Sequence, residues 1–227
     1  MDLYGVFLNY DSEKDARTVD YLKKYISKEK LNRINRLKKQ EDRIRSIVGD
    51  ILIRWIVCEK YNLFNEELKF TTNEYGKPFL TNIDTNFNVS HSGSWVVAAI
   101  SHLEVGIDIE KIIEIDMKIA RNFFTPEENN SFIKLLPEQQ LHHFYKLWTL
   151  KESYIKALGK GLSVPLDSFS INIDNRSITI FPQSPYNFRQ YPLHDDYKLA
   201  VCTQEKTFPN CVKVIPLEQL IHIKSFI

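Results

Sequence analysis

Three acids and one lysine carry the first suggestion of chemistry in this chain. In "GIDIE" (106–110), Asp108 and Glu110 stand two residues apart. In "LWTLKESYIKALGKGL" (147–162), Glu152 and Lys156 stand four apart. On a strand, side chains alternate between faces, so Asp108 and Glu110 point the same way, about 7 Å apart along the strand. Gly106 shares their face, and Val105, Ile107 and Ile109 take the other. On a helix, residues four apart are neighbours, which sets Lys156 one turn beyond Glu152. Three carboxylates gathered without a cation repel, and a like-charged pair 4 Å apart costs about 4 kcal/mol at an effective dielectric of 20. A divalent ion reverses that sign. Mg2+ prefers hard oxygen ligands, keeps several waters and commonly shares a phosphate with its substrate. The residue types therefore suit metal-assisted phosphoryl chemistry, provided that strand and helix meet. Each piece also has a plainer reading. Asp-x-Glu suits a solvated strand face, and Glu-to-Lys four apart is an ordinary helix pair worth about 0.2–0.5 kcal/mol.

The helix that must carry Glu152 is predicted over 138–158. Apolar residues recur at Leu141, Phe144, Trp148, Ile155 and Leu158, and Gly159 is a good C-terminal stop. On that wheel Glu152 falls at the edge of the apolar face and Lys151 inside it. Thr149, Ser153 and Lys156 take the polar side. A charge at the edge of a core needs a partner, because burying an unpaired ion is costly. A metal would serve Glu152. For Lys151 the pattern leaves two options, snorkelling or a buried carboxylate.

Candidates for phosphate contact lie elsewhere. "YISKEKLNRINRLKKQEDRIR" (25–45) is locally basic and offers Lys30, Arg33 and Arg45. Glu29, Glu41 and Asp42 interrupt it, which breaks the continuous stripe that would track a nucleic-acid backbone. Lys77 sits on the "YGKP" turn. Ser90 and His91 in "SHSG" (90–93) put a hydroxyl and an imidazole in a tight turn after a strand. Neither has a Cys or a paired acid nearby in sequence, so nothing argues for a Ser–His hydrolase.

The 227 residues are 43% hydrophobic and 26% charged, ordinary values for a globular protein. A net charge of +1 gives no overall field to steer the molecule onto nucleic acid or membrane. Cys58, Cys202 and Cys211 show no CxxC spacing, and an odd count fits a reducing compartment. The N-terminus reads as a strand rather than a signal peptide, and no apolar run reaches 18 residues, so the cytoplasm is expected. Strands are expected over 3–9, within 87–101, over 104–111 and in "FSINI", "RSITIF" and "YKLAVCT". Helices are expected over 13–26, along the stripe Ile44, Ile47, Val48, Ile51, Leu52, Trp55, Ile56, from Pro126 with Thr125 as cap, and over 138–158. The class is α+β, with a division near residue 104 into 1–104 and 105–227.

Taken together, "GID" (106–108) followed by "WTLKESYIK" (148–156) resembles the signature pair of 4′-phosphopantetheinyl transferases, in the same order and separation. "SHSG", "YGKP", the basic helix, "GDILIR" (49–54) and "KGLSVPLDSFS" (160–170) resemble the larger, surfactin-type branch. The resemblance implies two similar α/β subdomains related by a pseudo-twofold axis, with the site in the cleft between them, in a monomer. It implies transfer of 4′-phosphopantetheine from coenzyme A to a serine of an apo acyl or peptidyl carrier protein, leaving adenosine 3′,5′-bisphosphate. By motif position, Asp108, Glu110 and Glu152 would hold Mg2+, with Mn2+ as an alternative ion. Glu152 would also take the proton of the carrier serine, and Lys156 would contact the phosphates. Lys30, Arg33, Arg45, Ser46, Lys77, Ser90 and His91 would line the coenzyme A site. Ser46 stands where relatives carry Thr.

Two other classes are compatible with parts of the pattern: a Mg2+-dependent nuclease, and an inactive module that binds coenzyme A or a carrier. A nuclease is better served by a strand-borne Glu-x-Lys, which the chain does not place well. The residues do not name the carrier; fatty-acid, polyketide, nonribosomal-peptide and amino-acid-reductase carriers are all open. The stretch after Phe123 is expected to contribute to a carrier groove, and Glu128 is read as the capping partner of Thr125 in preference to a groove residue.

Overall fold

The run "WVVAAIS" (95–101) is buried along its whole length, which requires cover on both faces. That requirement organises the molecule. The computed structural model describes residues 1–116, 118, 122–174 and 177–226. In chain order the elements are β1 (Asp2–Phe7), α1 (Glu13–Leu22), α2 (Lys28–Asn35), α3 (Gln40–Tyr61), β2 (Phe70–Thr72), β3 (Pro78–Leu80), β4 (Asn86–Ser92), β5 (Trp95–Ser101), β6 (Val105–Lys111), α4 (Pro126–Phe132), α5 (Pro137–Leu158), β7 (Ser170–Ile173), β8 (Ile178–Phe181), β9 (Asn187–Gln190), β10 (Tyr197–Thr203) and β11 (Lys213–Val214). The class is α+β, as the sequence indicates.

One sheet runs β11-β1-β5-β4 and a second runs β6-β10-β9. On β5, Val96, Ala98 and Ile100 join a core with Ile47, Val48, Ile51 and Leu52 of α3. Trp95, Val97 and Ala99 point the other way, into a core with Val105, Ile107 and Ile109 of β6 and Leu199 and Val201 of β10. The second sheet is covered in turn by α5, whose Phe144, Leu147 and Leu150 pack with Ala200 of β10. The layers are therefore α3, first sheet, second sheet, α5. α3 and α5 are each 22 residues long.

Helix ends follow local chemistry. α5 starts with Pro137 in its first turn and stops at Gly159, whose φ of 68° lies in the left-handed region that glycine enters without a Cβ penalty. The single helix predicted over 13–26 instead breaks after Leu22 into a tight turn at 23–25, and α2 restarts behind Ser27, whose hydroxyl caps Lys30 N–H at 3.3 Å. "RSITIF" becomes β8 from Ile178; Arg176 lies outside the described residues. The sequence gives no sign of β11, which pairs in parallel with β1 through Tyr4 and Gly5. Leu217 and Leu220 then enter the α3 core, so the C-terminal segment returns to the first sheet.

Candidate active site

The register of β6 against β10 sets Asp108 opposite Ala200 and Gly106 opposite Cys202, on the face turned toward α5. A Cβ at Gly106 would fall 2.0 Å from Ser153 O and 2.4 Å from Ala157 N. The α5 backbone therefore lies directly on Gly106, closer than any other residue would allow. This contact brings the helix acid and lysine down to the strand acids.

The helix face in contact is the one the sequence assigns to the polar side. Thr149 and Ser153 are fully buried, their hydroxyls donating back to Tyr145 O at 2.9 Å and Leu150 O at 2.8 Å. Their small size permits the close approach, and their polarity is satisfied within the helix. Lys156 continues that face. Its Nζ donates to Asp108 Oδ1 at 2.6 Å and to Ser90 Oγ at 2.9 Å. Ser90 in turn donates to Asp108 Oδ1 at 3.0 Å. Ser92 donates to Glu110 Oε2 at 2.8 Å. The site thus sits where the edge strands of the two sheets, β4 and β6, meet α5.

The electrostatics are those of crowded acids. Partial burial, then Asp108 and Glu152, push the Glu110 carboxyl up to about 7. Burial and then Asp108 raise Glu152 above the usual carboxylate range. Asp108 is almost fully buried, and its Oδ2 has no hydrogen-bond partner. Among the described residues, no three His, Cys, Asp or Glu side chains are gathered tightly enough to form a metal cage by themselves. Asp108, Glu110 and Glu152 share one electrostatic neighbourhood instead, with Lys156 as the cation at hand. The donor set fits a hard cation that retains waters: all oxygen, with one buried carboxylate oxygen unpartnered.

The remaining candidates fall into three places. Lys30, Arg33 and Ser46 line a cavity of about 460 Å³, together with Asp50, Arg54 and Phe70. Lys30 is paired with Asp50, which also accepts from Arg54 Nε at 2.7 Å. Asp50 and Arg54 lie inside "GDILIR", where the sequence gives no reason to separate them from the core. Arg45 donates to Gly93 O at 2.8 Å and Tyr10 Oη at 3.0 Å and pairs with Asp42, so it grips the turn that follows His91. His91 is solvent-facing; desolvation on its crowded side and then Arg45 lower its pKa. Lys77 stands apart. Its Nζ donates to Val105 O at 3.2 Å and Ala157 O at 3.1 Å, and burial lowers its pKa to about 8.

Lys151 finds the buried carboxylate. Its side chain is 0% exposed, and its Nζ lies 2.8 Å from Glu128 Oε2, 2.8 Å from Leu166 O and 2.6 Å from Phe169 O. Glu128 caps Thr125 N–H at 2.9 Å and accepts from Ile171 N–H at 2.7 Å, so it braces α4, α5 and β7 from inside. At 5% exposure it is buried. Sequence reasoning also passes over Asn88 and Ser92, since only the fold reveals what β4 faces.

Comparison with known proteins gives the family. The profile of the 4′-phosphopantetheinyl transferase superfamily matches residues 104–202, and that of the 4′-phosphopantetheinyl transferase N-terminal region matches residues 14–103. The chain is similar to the 4′-phosphopantetheinyl transferase Sfp of Bacillus subtilis (strain 168), 36% identical over 228 residues that cover 97% of this chain and 100% of that protein. It is similar to the 4′-phosphopantetheinyl transferase gsp of Aneurinibacillus migulanus, 40% identical over 201 residues, covering 87% and 84%. It is also similar to the 4′-phosphopantetheinyl transferase psf-1 of Bacillus pumilus, 35% identical over 227 residues, covering 97% of each. This chain belongs to the 4′-phosphopantetheinyl transferase superfamily and is an enzyme of that class. The nuclease reading falls away. No helix among the described residues is long and apolar enough to cross a membrane.

Proposed function

We propose that the enzyme transfers 4′-phosphopantetheine from coenzyme A to a serine of an apo carrier protein at the junction of β4, β6 and α5. The observation that carries the placement is the Lys156–Asp108–Ser90 cluster beside Glu110 and Glu152. The serine oxygen bonds to the phosphorus that bears pantetheine, and the bond from that phosphorus to the bridging pyrophosphate oxygen breaks. Adenosine 3′,5′-bisphosphate leaves with the electron pair.

Little covalent work falls to the protein; positioning and charge neutralisation dominate phosphoryl transfer. Asp108, Glu110 and Glu152 would hold Mg2+, which when bound neutralises charge on the pyrophosphate. Lys156 adds a positive charge from the helix side. Glu152 accepts the serine proton as general base. Lys30, Arg33 and Ser46 bind the phosphate end of coenzyme A in their shared cavity, with Arg45 and His91 at the neighbouring turn. Lys77 contributes to the nucleotide side through the turn it anchors.

Residues 1–104 and 105–227 form the two halves, with the segment from Lys213 rejoining the first. One chain supplies β4, β6 and α5, which supports a monomer. The three free cysteines are in keeping with a reducing compartment such as the cytoplasm.

Intact mass of an apo peptidyl carrier protein, after incubation with coenzyme A and Mg2+, tests the proposal. One phosphopantetheine should be gained, and chelation should abolish the gain. Asp108→Ala and Glu152→Ala should each remove most activity while keeping a cooperative melt. Near-normal turnover in either folded variant would sink the metal assignment.

A further inference from the structure

Strand β6 is the outer strand of its sheet, and its outward N–H groups need acceptors. β4 is the outer strand of the other sheet, but no backbone ladder joins the two. Three β4 side chains bridge the gap. Asn88 Oδ1 accepts from Ile107 N–H at 2.9 Å, Ser90 Oγ from Ile109 N–H at 3.3 Å, and Ser92 Oγ from Lys111 N–H at 3.0 Å.

The two serines also donate. With both acids ionised, as holding a metal requires, a carboxylate only accepts and a serine has one proton, which fixes the direction of each bond. Ser90 gives its proton to Asp108 Oδ1 and Ser92 gives its proton to Glu110 Oε2. Each serine therefore links one oxygen of an acid to the N–H of the residue that follows it. In both cases the acid's second oxygen is left over. Asp108 Oδ2 is buried without a partner, and Glu110 Oε1 takes no hydrogen bond among the described residues. Asn88 makes the same seam bond, but the residue before its N–H partner is Gly106, which has no carboxylate.

We propose that Ser92 is a positioning residue for the transfer reaction: it fixes the Glu110 carboxylate in register with Asp108, leaving one oxygen of each for the metal. This rests on reading Asp108, Glu110 and Glu152 as the metal-holding acids. Ser92 acts through Glu110. Ser90 has the same geometry, but Lys156 also contacts it, so Ser92 is the cleaner probe.

The experiment compares Ser92→Ala, Ser92→Thr and Asn88→Ala with the unmodified enzyme. Carrier modification is titrated with Mg2+, and Mn2+ binding to the coenzyme A-bound enzyme is followed by electron paramagnetic resonance. Ser92→Ala should raise the Mg2+ concentration for half-maximal rate about tenfold and weaken Mn2+ binding to match, as loss of a hydrogen bond to a charged group allows. KM for coenzyme A should stay within about twofold. Ser92→Thr keeps the hydroxyl and should restore both metal readouts. Asn88→Ala should lower the melting temperature without moving either. Should the alanine variant not fold, Ser92→Cys, a weak donor of similar size, should show a smaller shift in the same direction. The inference is overturned if the Ser92 variants move the metal readouts no further than Asn88→Ala does. If Asp108→Ala also binds Mn2+ normally, the fault lies in the metal reading itself.

Discussion

Gly106→Ala tests whether the contact between α5 and β6 builds the site. The added Cβ would lie 2.0 Å from Ser153 O, 2.4 Å from Ala157 N and 3.0 Å from Lys156 C. All three are backbone atoms of one helix, so no side-chain rotation relieves the clash. Optimal carbon contacts lie near 3.5–4.0 Å, so helix and strand must separate by at least about 1 Å. Overpacking of this kind costs about 1–3 kcal/mol, which in a chain of this size lowers the melting temperature by roughly 2–12 °C. The effect on rate should be larger. Lys156 Nζ is 2.6 Å from Asp108 Oδ1, and a separation of about 1 Å opens that contact beyond hydrogen-bond range. A misplacement of that size at a reacting centre costs about 100-fold. The assay is the initial rate of carrier modification by intact mass, beside a thermal melt. A variant that melts within 2 °C of the parent and turns over at a similar rate would refute the reasoning.

Two further outcomes follow from the buried charges. Lys151→Met strands Glu128 in the core, and breaking a buried pair in this way costs about 3–5 kcal/mol, or roughly 6–20 °C of melting temperature. Combining it with Glu128→Gln should recover part of that loss; a fall under 2 °C for the single variant would mean that the pair braces nothing. Metal-free enzyme should lose stability as pH rises from about 4.5 through 7, because folded Glu110 keeps a proton up to about 7 that the unfolded chain releases earlier. Glu152, also raised, adds in the same direction. Glu110→Gln removes its share, so its melting temperature should gain on the parent between pH 5.5 and pH 8. An equal gap at both values would contradict the assigned environment.

Much was readable along the chain because it depends on local spacing. The Ile44–Ile56 stripe gave α3, and alternation in "VGIDIEK" placed Asp108 and Glu110 on one face. Thr125 and Glu128 form the capping box that their spacing suggests. The pair of signatures, "GID" and "WTLKESYIK", was specific enough to indicate the family. Thr149 and Ser153 fall on the polar side of the helical wheel, yet they satisfy their hydroxyls within the helix and lie buried against the sheet.

What the sequence determined by itself is the long elements, α3, α5 and β6, and the family, since each is written in neighbouring positions. The tertiary structure alone decided which surfaces meet. Gly106 matters because the backbone of α5, at Ser153 and Ala157, rests on it. Ser92 matters because an edge strand of one sheet faces an edge strand of the other. Lys151 is tolerated because Glu128 waits for it in the core. Contacts between distant segments depend on how layers stack and on which buried groups find partners, and no short-range periodicity encodes that.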